Sequence, residues 1–507
     1  MGSEVQEFDV VVLGAGAVGE NAADRASRTG LSVALVESQL VGGECSYWAC
    51  MPSKALLRAG DALAAARDAP GAAAAVTGDV DVAAVLAHRD EVTSHWDDAG
   101  QVSWVEGAGL TLLRGQARFT GPRELVVTHE DEDTRLVARC AVVVATGSAA
   151  DVPRAGGLGD VRPWTSREAT SAHVVPSRLA VVGGGVVAVE MATAFADLGS
   201  TVTVLVRGDR LLPRAEPFAA QALADALAAR GVRVAFGASV VAAARDDDGV
   251  HLTVEHGGPD GSGPAGDGPR REQVDADEVL VATGRRPNTE DLGLENLGLR
   301  PGDALEVDDA LQVRGVEGGW LFAVGDVTGR TGTTHQGKYD ARVVGDVVAA
   351  RFDPRPDGAE PGPGVPRGLS RHAEAQAGPW SRYRATADAA AVPQVVFTRP
   401  QVAWVGRTEA EARSAGLDVA VLGYDLGSLA AASVTGEHYE GRVQVVVDRA
   451  RDVLVGATFV GPDVADMLHA ATVAVVSEVP LDRLWHAVPS YPTLSEVWLR
   501  LLEQDGR

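Results

Sequence analysis

The chain has 507 residues, of which 46% are hydrophobic and 23% charged, and its formal net charge is −25 at pH 7. This length predicts about three domains, and the negative charge argues against nucleic acid or an anionic membrane surface as a partner. No apolar run reaches the length of a membrane span, and the first residues lack the features of a signal peptide. We therefore expect a folded, cytoplasmic protein.

Residues 9–37 predict a βαβ unit, with an apolar strand, a glycine-rich turn, an alanine-rich helix and a second apolar strand. The turn contains Gly14, Gly16 and Gly19 in a GxGxxG pattern, and Glu37 ends the second strand. Such glycines allow a tight turn, a close approach of the backbone to a pyrophosphate and the packing of helix on strand. The acidic residue can accept a hydrogen bond from a ribose hydroxyl. The segment therefore predicts a dinucleotide site.

A cysteine pair follows in residues 42–58, GGECSYWACMPSKALLR. In a regular helix the Cα atoms of Cys45 and Cys50 would lie roughly 8–9 Å apart, whereas a disulfide needs less than about 7 Å. A bridge between them therefore requires a distorted helix and would be easily reduced. The alternative is two independent buried thiols. Cys140 lies in an apolar run and is expected to be an inert core thiol.

Residues 179–207 predict a second βαβ unit with the same layout. Its turn carries Gly183, Gly185 and Ala188, and its second strand ends at Arg207, with Arg210 close behind. Arginine side chains bind a 2′-phosphate, which a carboxylate would repel. This unit therefore favours NADPH over NADH, although the two arginines could instead be solvated surface charges.

The rest of the chain shows three further kinds of segment. Residues 257–271 are rich in Gly and Pro and predict a hairpin loop, and residues 351–390 predict a linker. From residue 392 onwards, strand-like runs alternate with helical stretches without a glycine-rich nucleotide turn, which predicts an α+β domain.

Several motifs together resemble the class I pyridine nucleotide-disulfide oxidoreductases over nearly the whole chain. They are the first GxGxxG turn, the CxxxxC-x-PSK segment, the ATG turns at 145–147 and 282–284, GWLFAVGDV at 319–327 and FTRPQVAWVG at 397–406. The resemblance implies an α/β fold with two doubly wound, Rossmann-like nucleotide-binding domains, one inserted in the other, and a C-terminal α+β dimerisation domain. The expected bounds are 1–150 and 285–350 for FAD, 151–284 for NAD(P), 351–390 for the linker and 391–507 for the interface domain.

The resemblance also implies roles for single residues. Cys50 would be the charge-transfer thiolate on the flavin, and Cys45 the outer thiol that meets the acceptor. Lys54 would lie near the flavin with Glu190 as its ion-pair partner, and Asp326 would bind the ribityl chain. Further cofactor contacts are expected at the motif residues Gly43, Thr146, Gly147, Gly284 and Gly325. Two electrons would pass from the nicotinamide through FAD to the cysteines and on to a small-molecule acceptor, with no metal site.

One position departs from the family pattern. In the segment PSYPTLSE, Tyr491 occupies the place of a histidine that pairs with a glutamate, here Glu496, across a homodimer. Tyrosine, with a pKa near 10, is a poor base at neutral pH. His486 could substitute, although a packed or surface role fits it better. Lys338, which with Lys54 completes the lysines of the chain, could line the flavin site or the surface.

This departure weakens the prediction of a disulfide substrate and keeps other acceptors open. A quinone reductase or an NAD(P) transhydrogenase could work at the flavin without the dithiol. Mercuric reductase also has tyrosine at this position, but the end LLEQDGR lacks that family's extra cysteine pair. A regulatory flavoprotein is the remaining alternative, against which the CxxxxC pair argues.

Overall fold

The structure is a computed structural model that describes residues 5–257, 270–356 and 364–507. The strands in these ranges are β1 (Val5–Leu13), β2 (Val33–Glu37), β3 (Thr111–Arg114), β4 (Gln116–Gly121), β5 (Glu124–His129), β6 (Glu132–Val144), β7 (Ser148–Ala150), β8 (Arg178–Val182), β9 (Thr201–Val206), β10 (Arg233–Phe236), β11 (Ala238–Asp246), β12 (Gly249–His256), β13 (Arg270–Ala276), β14 (Glu278–Val281), β15 (Arg285–Pro287), β16 (Leu321–Ala323), β17 (Gln394–Val396), β18 (Gln401–Gly406), β19 (Val419–Asp425), β20 (Arg442–Asp448) and β21 (Val453–Gly461).

The α-helices are α1 (Ala17–Ser27), α2 (Gly43–Tyr47), α3 (Cys50–Asp68), α4 (Val82–Val92), α5 (Ala99–Gly107), α6 (Ser166–Ser171), α7 (Val186–Asp197), α8 (Pro217–Ala229), α9 (Thr334–Arg351), α10 (Ala387–Ala390), α11 (Glu409–Ser414), α12 (Ala430–Thr435), α13 (Val464–Val476), α14 (Leu481–Leu484) and α15 (Val497–Gln504). Short 3-10 helices cover Ala73–Ala75, Ser94–Trp96, Ala155–Gly157, Leu294–Leu297, Gly325–Thr328, Ala373–Gln376, Leu426–Ser428 and Leu494–Glu496. Among the described helices, none combines the length and the apolar character that crossing a membrane requires.

The chain divides into two compact units, and the first comprises Met1–Met51, Thr93–Ala149 and Arg285–Ala389. Its main sheet has the order β3-β2-β1-β6-β5-β4, with β16 also paired to β6. β1 runs parallel to both β2 and β6, and its last four residues are buried, as expected for a central strand covered on both faces. The βαβ unit predicted for residues 9–37 is therefore β1-α1-β2.

Helices α1 and α9 of this unit pack closely against each other. A Cβ atom added to Gly345 of α9 would lie 2.4 Å from the Cβ atom of Arg25 on α1, so only glycine allows this distance. Arg25 in turn donates to the buried carboxylate of Asp346. These contacts fix the position of α9 relative to the nucleotide-binding turn at the start of α1.

The second unit comprises Pro52–Val92, Ala150–Gly284 and Ala390–Arg507. It contains a parallel sheet of order β10-β9-β8-β14, an antiparallel sheet β11-β12-β13 and an antiparallel sheet of order β17-β18-β21-β20-β19. Helix α7 is buried along most of its length, and the second predicted βαβ unit is β8-α7-β9. The predicted fold class, two Rossmann-like sheets followed by an α+β domain, is confirmed.

Two predicted connections lie partly outside the described residues. Residues 258–269 of the predicted hairpin loop and residues 357–363 of the predicted linker are not described. β12 and β13, which flank the first of these, pair antiparallel. The predicted domain bounds stay a prediction. Cys140, expected in the core, is only half-buried on β6, because this part of the strand has one accessible face.

Candidate cofactor and redox site

The glycines of the first turn are required by the backbone itself. Gly14 has a φ of +100°, and a Cβ atom there would lie 2.5 Å from the carbonyl oxygen of Ala145. A Cβ atom on Gly19 would lie 1.8 Å from the carbonyl oxygen of Gly14, and one on Gly43 would lie 2.8 Å from the Cα atom of Gly16. The main chains of two loops therefore come into direct contact at the start of α1, with no side chain between them.

This arrangement fits the pyrophosphate and the ribose of a dinucleotide. Gly16 caps α1 without a side-chain hydrogen bond, so the first N–H groups of the helix are left for a ligand. Glu37 is buried at the end of β2, where its carboxylate accepts hydrogen bonds from the backbone of Ala15 (2.7 Å) and Gln39 (2.8 Å). Burial raises the pKa of Glu37 above its usual range. The residues present thus fit the adenosine half of FAD.

The first ATG turn and Asp326 lie in the same unit and are fixed by polar contacts. Thr146 donates its hydroxyl to the carbonyl of Asn288 (2.8 Å), and Gly147 has a φ of +69°. Asp326 accepts a hydrogen bond from the hydroxyl of Ser148 (2.6 Å), which also accepts from Arg285.

The remaining motif glycines are also placed by backbone geometry. Gly325, before Asp326, has a φ of +74° and approaches Val18 on α1. In the second unit, the carbonyl of Gly284 accepts from the backbone of Asp151 (3.0 Å). Gly325 thus begins a short 3-10 helix and Gly284 directly precedes β15, so both lie outside the regular strands.

The two cysteines lie on two consecutive helices that are separated by a short non-helical break. Cys45 belongs to α2, which ends at Tyr47, and Cys50 begins α3; Trp48 between them has a non-helical φ of −138°. Both are thiols in this structure, and they hydrogen-bond to each other. The interruption supplies the distortion that the sequence analysis required for a bridge.

The thiols have different surroundings. The Sγ atom of Cys50 lies 3.3 Å from the Oγ1 atom of Thr334, the first residue of α9. The hydrogen bond with Cys50 and burial raise the pKa of the Cys45 thiol well above its ordinary value, whereas Thr334 and the ammonium of Lys338 act in the opposite direction.

Lys54 lies one helical turn after the start of α3 and forms an ion pair within the second unit. Its Nζ atom lies 2.7 Å from the Oε2 atom of Glu190 on α7, and the side chain of Glu190 is 4% exposed. The other carboxylate oxygen accepts from the backbone N–H of Phe397 (2.9 Å), whose ring lies under the ammonium at 4.9 Å. The structure thus brings together the lysine and the glutamate that the sequence analysis paired.

The second glycine turn has the same geometry as the first. Gly183 has a φ of +134°, and a Cβ atom there would lie 2.3 Å from the carbonyl oxygen of Ala282. Gly185 caps α7, again without a side-chain hydrogen bond, and Ala188 is fully buried. The turn therefore leaves the N-terminus of α7 open to an anionic group.

The two arginines that follow β9 differ in their contacts. Arg207 is exposed, and among the described residues its side chain has no hydrogen bond or ion pair. Arg210 is less exposed and donates to the carbonyl of Pro213 (2.8 Å). Only Arg207 is thus free to meet a ligand without first breaking a contact.

The C-terminal residues do not form a pair within the chain. The side chain of Tyr491 is exposed, whereas Glu496 is buried and accepts from Arg500. His486 is also exposed. Arg500 was missed by the sequence analysis, although its spacing of four residues from Glu496 is typical of a helical ion pair.

Three other residues of the site were also missed. Phe397 belongs to the quoted FTRPQVAWVG segment, and Thr334 carries no signal beyond its place at the start of a helix. Glu20 follows Gly19 directly, and a carboxylate inside a glycine fingerprint is the signal that could have indicated it. Burial raises the pKa of Glu20 to about 7, with Lys338 acting against this rise and Glu37 adding to it.

Two βαβ nucleotide turns and a cysteine pair next to the first of them define the class of a dinucleotide-binding flavoprotein with a redox-active dithiol. Comparison with known families agrees. Residues 8–341 match the model of the pyridine nucleotide-disulphide oxidoreductases, and residues 392–501 match the dimerisation domain of the same family.

Known proteins give the same result. The chain is 32% identical over 498 residues to dihydrolipoyl dehydrogenase of Thermus scotoductus, covering 97% of this chain and 96% of that protein. It is 30% identical over 493 residues to mercuric reductase of Staphylococcus aureus, covering 97% and 81%. The chain therefore belongs to the pyridine nucleotide-disulphide oxidoreductase family and is an FAD-dependent NAD(P)H oxidoreductase.

Solved structures agree on the fold. The flavoprotein disulfide reductase RclA from Escherichia coli, determined as a Cu(II) complex, superposes with a TM-score of 0.77 at 23% identity, covering 98% of this chain and 99% of that one. LpdA from Mycobacterium tuberculosis gives the same score, identity and coverage. The matched dimerisation domain implies a homodimer.

Proposed function

We propose that Cys45 and Cys50 form the redox couple of this enzyme, with Cys50 next to the flavin and Cys45 facing the acceptor. Bound FAD would supply the two-electron chemistry that links the nicotinamide to this disulfide. The observation that carries this proposal is the thiol pair across the interruption between α2 and α3. The hydroxyl of Thr334 on Cys50 supports a thiolate there, because a donor stabilises the charged sulfur.

The other predicted site residues receive roles in the same proposal. Lys54 supplies the cation that stabilises reduced flavin, and Glu190 holds it in place through an ion pair that is buried on the carboxylate side. Asp326 binds the ribityl chain. The first turn with Gly43, Glu37, Thr146, Gly147 and Gly325 binds FAD, and the second turn with Gly284 binds the nicotinamide nucleotide.

NADPH is the proposed electron donor. A guanidinium binds a phosphate through two parallel hydrogen bonds, and the free, exposed side chain of Arg207 stands directly after β9, where the 2′-phosphate is expected. Arg210 would have to exchange its contact with Pro213 for the phosphate.

The acceptor is proposed to be a small disulfide or another small electrophile that reaches Cys45. Tyr491 and Glu496 would act across the homodimer, but the exposed phenol is a weak base. This observation favours a second candidate, a quinone or a second nicotinamide nucleotide that takes electrons from the flavin and needs no base. The cytoplasmic location and the four domain bounds stay predictions.

An anaerobic titration with NADPH tests the proposal. A long-wavelength thiolate-to-flavin charge-transfer band should appear in the wild type, vanish in Cys50→Ser and persist in Cys140→Ser, the matched control. Bleaching of the flavin without such a band would contradict the proposed couple. The flavin-level acceptors would then be the better assignment.

A further inference from the structure

Arg399 lies in the turn between β17 and β18 and joins two helices of the second unit. Its Nη1 atom lies 2.9 Å from the Oδ1 atom of Asp61 on α3, and its Nη2 atom donates to the carboxylate of Asp197 on α7. The side chains of Arg399 and Asp197 are only 21% and 13% exposed, so water screens this ion pair only in part. A planar guanidinium, whose donors point in fixed directions, thus bridges carboxylates from two helices.

Helices α3 and α7 are closely packed at this bridge. A Cβ atom added to Gly60 of α3 would overlap the carboxylate of Asp197 and lie 3.0 Å from the Nη1 atom of Arg399. Leu56 of α3 and Phe195 of α7 belong to one buried core, which also includes side chains of β17 and β18. The turn is therefore held against both helices by packing as well as by charge.

Arg399 balances the charge between the two helices. Burial raises the pKa of Asp61, Arg399 acts against this rise through its charge and its hydrogen bond, and Asp197 adds to the rise. The remaining cation of the cluster is Arg230, whose pKa burial lowers to about 10, with the charge of Arg399 adding to this effect. Without Arg399 the cluster would hold two carboxylates and one guanidinium, and repulsion between the carboxylates would favour the separation of α3 and α7.

The ion pair between Lys54 and Glu190 lies two helical turns before this bridge, on the same two helices. On α3, Asp61 follows Lys54 by seven positions. On α7, Asp197 follows Glu190 by the same number. Residues at this spacing share one face of a helix and lie about 10 Å apart along its axis. The turn also contacts this first pair, since Phe397 donates its backbone N–H to Glu190 and places its ring under the ammonium of Lys54.

We infer that Arg399 is a positioning residue for Lys54: by holding α3 against α7, it keeps the ammonium paired with Glu190 at the place where reduced flavin needs a cation. This inference rests on the proposed function of Lys54. The energy of an ion pair falls as the distance between its charges grows, so a small separation of the helices weakens the pair and displaces the ammonium.

The midpoint potential of the flavin in the holoenzyme is the first readout, because a nearby cation favours the anionic reduced form. Lys54→Met should lower the equilibrium constant for two-electron reduction about tenfold, which corresponds to about 30 mV, and Arg399→Met should lower it about threefold. In the double variant, Arg399→Met should add nothing, because no ammonium is left to displace. An effect of Arg399→Met that persists in the Lys54→Met background would mean that Arg399 acts through its own charge, and would overturn the inference.

Acetylation of Lys54 by acetic anhydride, followed by peptide mass spectrometry, is the second readout and does not depend on electron transfer. Lys338 is the other lysine of the chain and serves as the internal reference in the same molecule. A carboxylate partner favours the charged ammonium, whereas acetylation needs the neutral amine. Relative to Lys338, Lys54 should therefore react about threefold faster in both Arg399→Met and Glu190→Gln. An unchanged ratio in Arg399→Met would contradict the inference.

Arg407→Met is the matched control, because it removes an equal charge directly after β18, and within the described ranges the side chain of Arg407 has no hydrogen bond or ion pair. Gly60→Ala is a second test that changes no charge and suits a helix: its Cβ atom displaces the carboxylate of Asp197 from Arg399, so it should shift both readouts in the same direction as Arg399→Met.

The outcomes separate the two proposals. If Lys54→Met lowers the potential but Arg399→Met and Gly60→Ala both keep wild-type values, the inference alone is overturned. If Lys54→Met leaves the potential unchanged, the proposed role of Lys54 is rejected, and the inference falls with it.

Discussion

The ion pair between Lys54 and Glu190 allows a quantitative prediction. Replacing Lys54 with methionine removes the cation but keeps much of the apolar stem. The almost fully buried carboxylate of Glu190 then keeps the hydrogen bond from the backbone N–H of Phe397 but loses its ion pair. Breaking a fully buried pair by removing one partner costs about 3–5 kcal/mol. Because the side chain of Lys54 is 35% exposed, water compensates part of this loss, and we expect a decrease of about 2–3 kcal/mol in the free energy of unfolding.

Two further variants, Glu190→Gln and the double variant, test whether the loss of stability comes from the unpaired charge of Glu190. Glu190→Gln removes the charge but keeps an oxygen for the N–H of Phe397, so it should cost only about 1 kcal/mol. The double variant should resemble Glu190→Gln, because no buried charge is then left unpaired. The coupling energy of the cycle should therefore equal the cost of Lys54→Met, about 2–3 kcal/mol.

The assay is equilibrium unfolding in urea at pH 7 with FAD at a fixed, saturating concentration, since ligand binding itself contributes to stability. Arg67→Met is the matched control: Arg67 pairs with Asp79 at 3.0 Å, but both side chains are exposed, so the change should stay within about 0.5 kcal/mol. A Lys54→Met variant as stable as this control would refute the reasoning. Additive single effects in the double variant would do so as well.

Three further predictions concern cofactor choice, the acceptor and pH. Replacing Arg207 and Arg210 with alanine should raise KM for NADPH by about tenfold or more and leave KM for NADH nearly unchanged. A tenfold change corresponds to about 1.4 kcal/mol, roughly the contribution of one charge-assisted hydrogen bond. Equal effects on both nucleotides would reject the 2′-phosphate assignment. Tyr491→His should increase turnover with disulfides if the base limits the reaction, and no gain would mean that the substrate pocket excludes them. Burial, with the charge and hydrogen bond of Asp388, raises the pKa of Asp340 to about 8. The folded state therefore holds a proton that the unfolded state releases near its ordinary pKa, and this contribution to stability is lost as the pH rises towards 8. Asp340→Asn should thus gain stability relative to wild type between pH 5.5 and 8.5 in urea unfolding; a constant difference would contradict this.

The sequence by itself determined the parts of the protein that depend on neighbouring residues. Gly14 and Gly183 have positive φ values and allow no Cβ atom, so the glycine pattern alone predicts the two nucleotide-binding turns. The apolar runs on either side define the strands, and the repeat of this layout indicated two nucleotide units. For a bridge between Cys45 and Cys50, their spacing likewise required an interrupted helix, because a regular helix holds their Cα atoms too far apart for a disulfide.

Only the tertiary structure decided which distant side chains meet. Glu190 lies 136 residues from Lys54, and Thr334 lies 284 residues from Cys50, so no local pattern reports either contact. The sequence left the role of Lys338 open and gave none to Glu20. The approach of α9 to α1 depends on the packing of the two helices, and the raised pKa of Glu20 depends on burial. Both are properties of the packed fold, since desolvation and the field of neighbouring charges exist only once the helices are in contact.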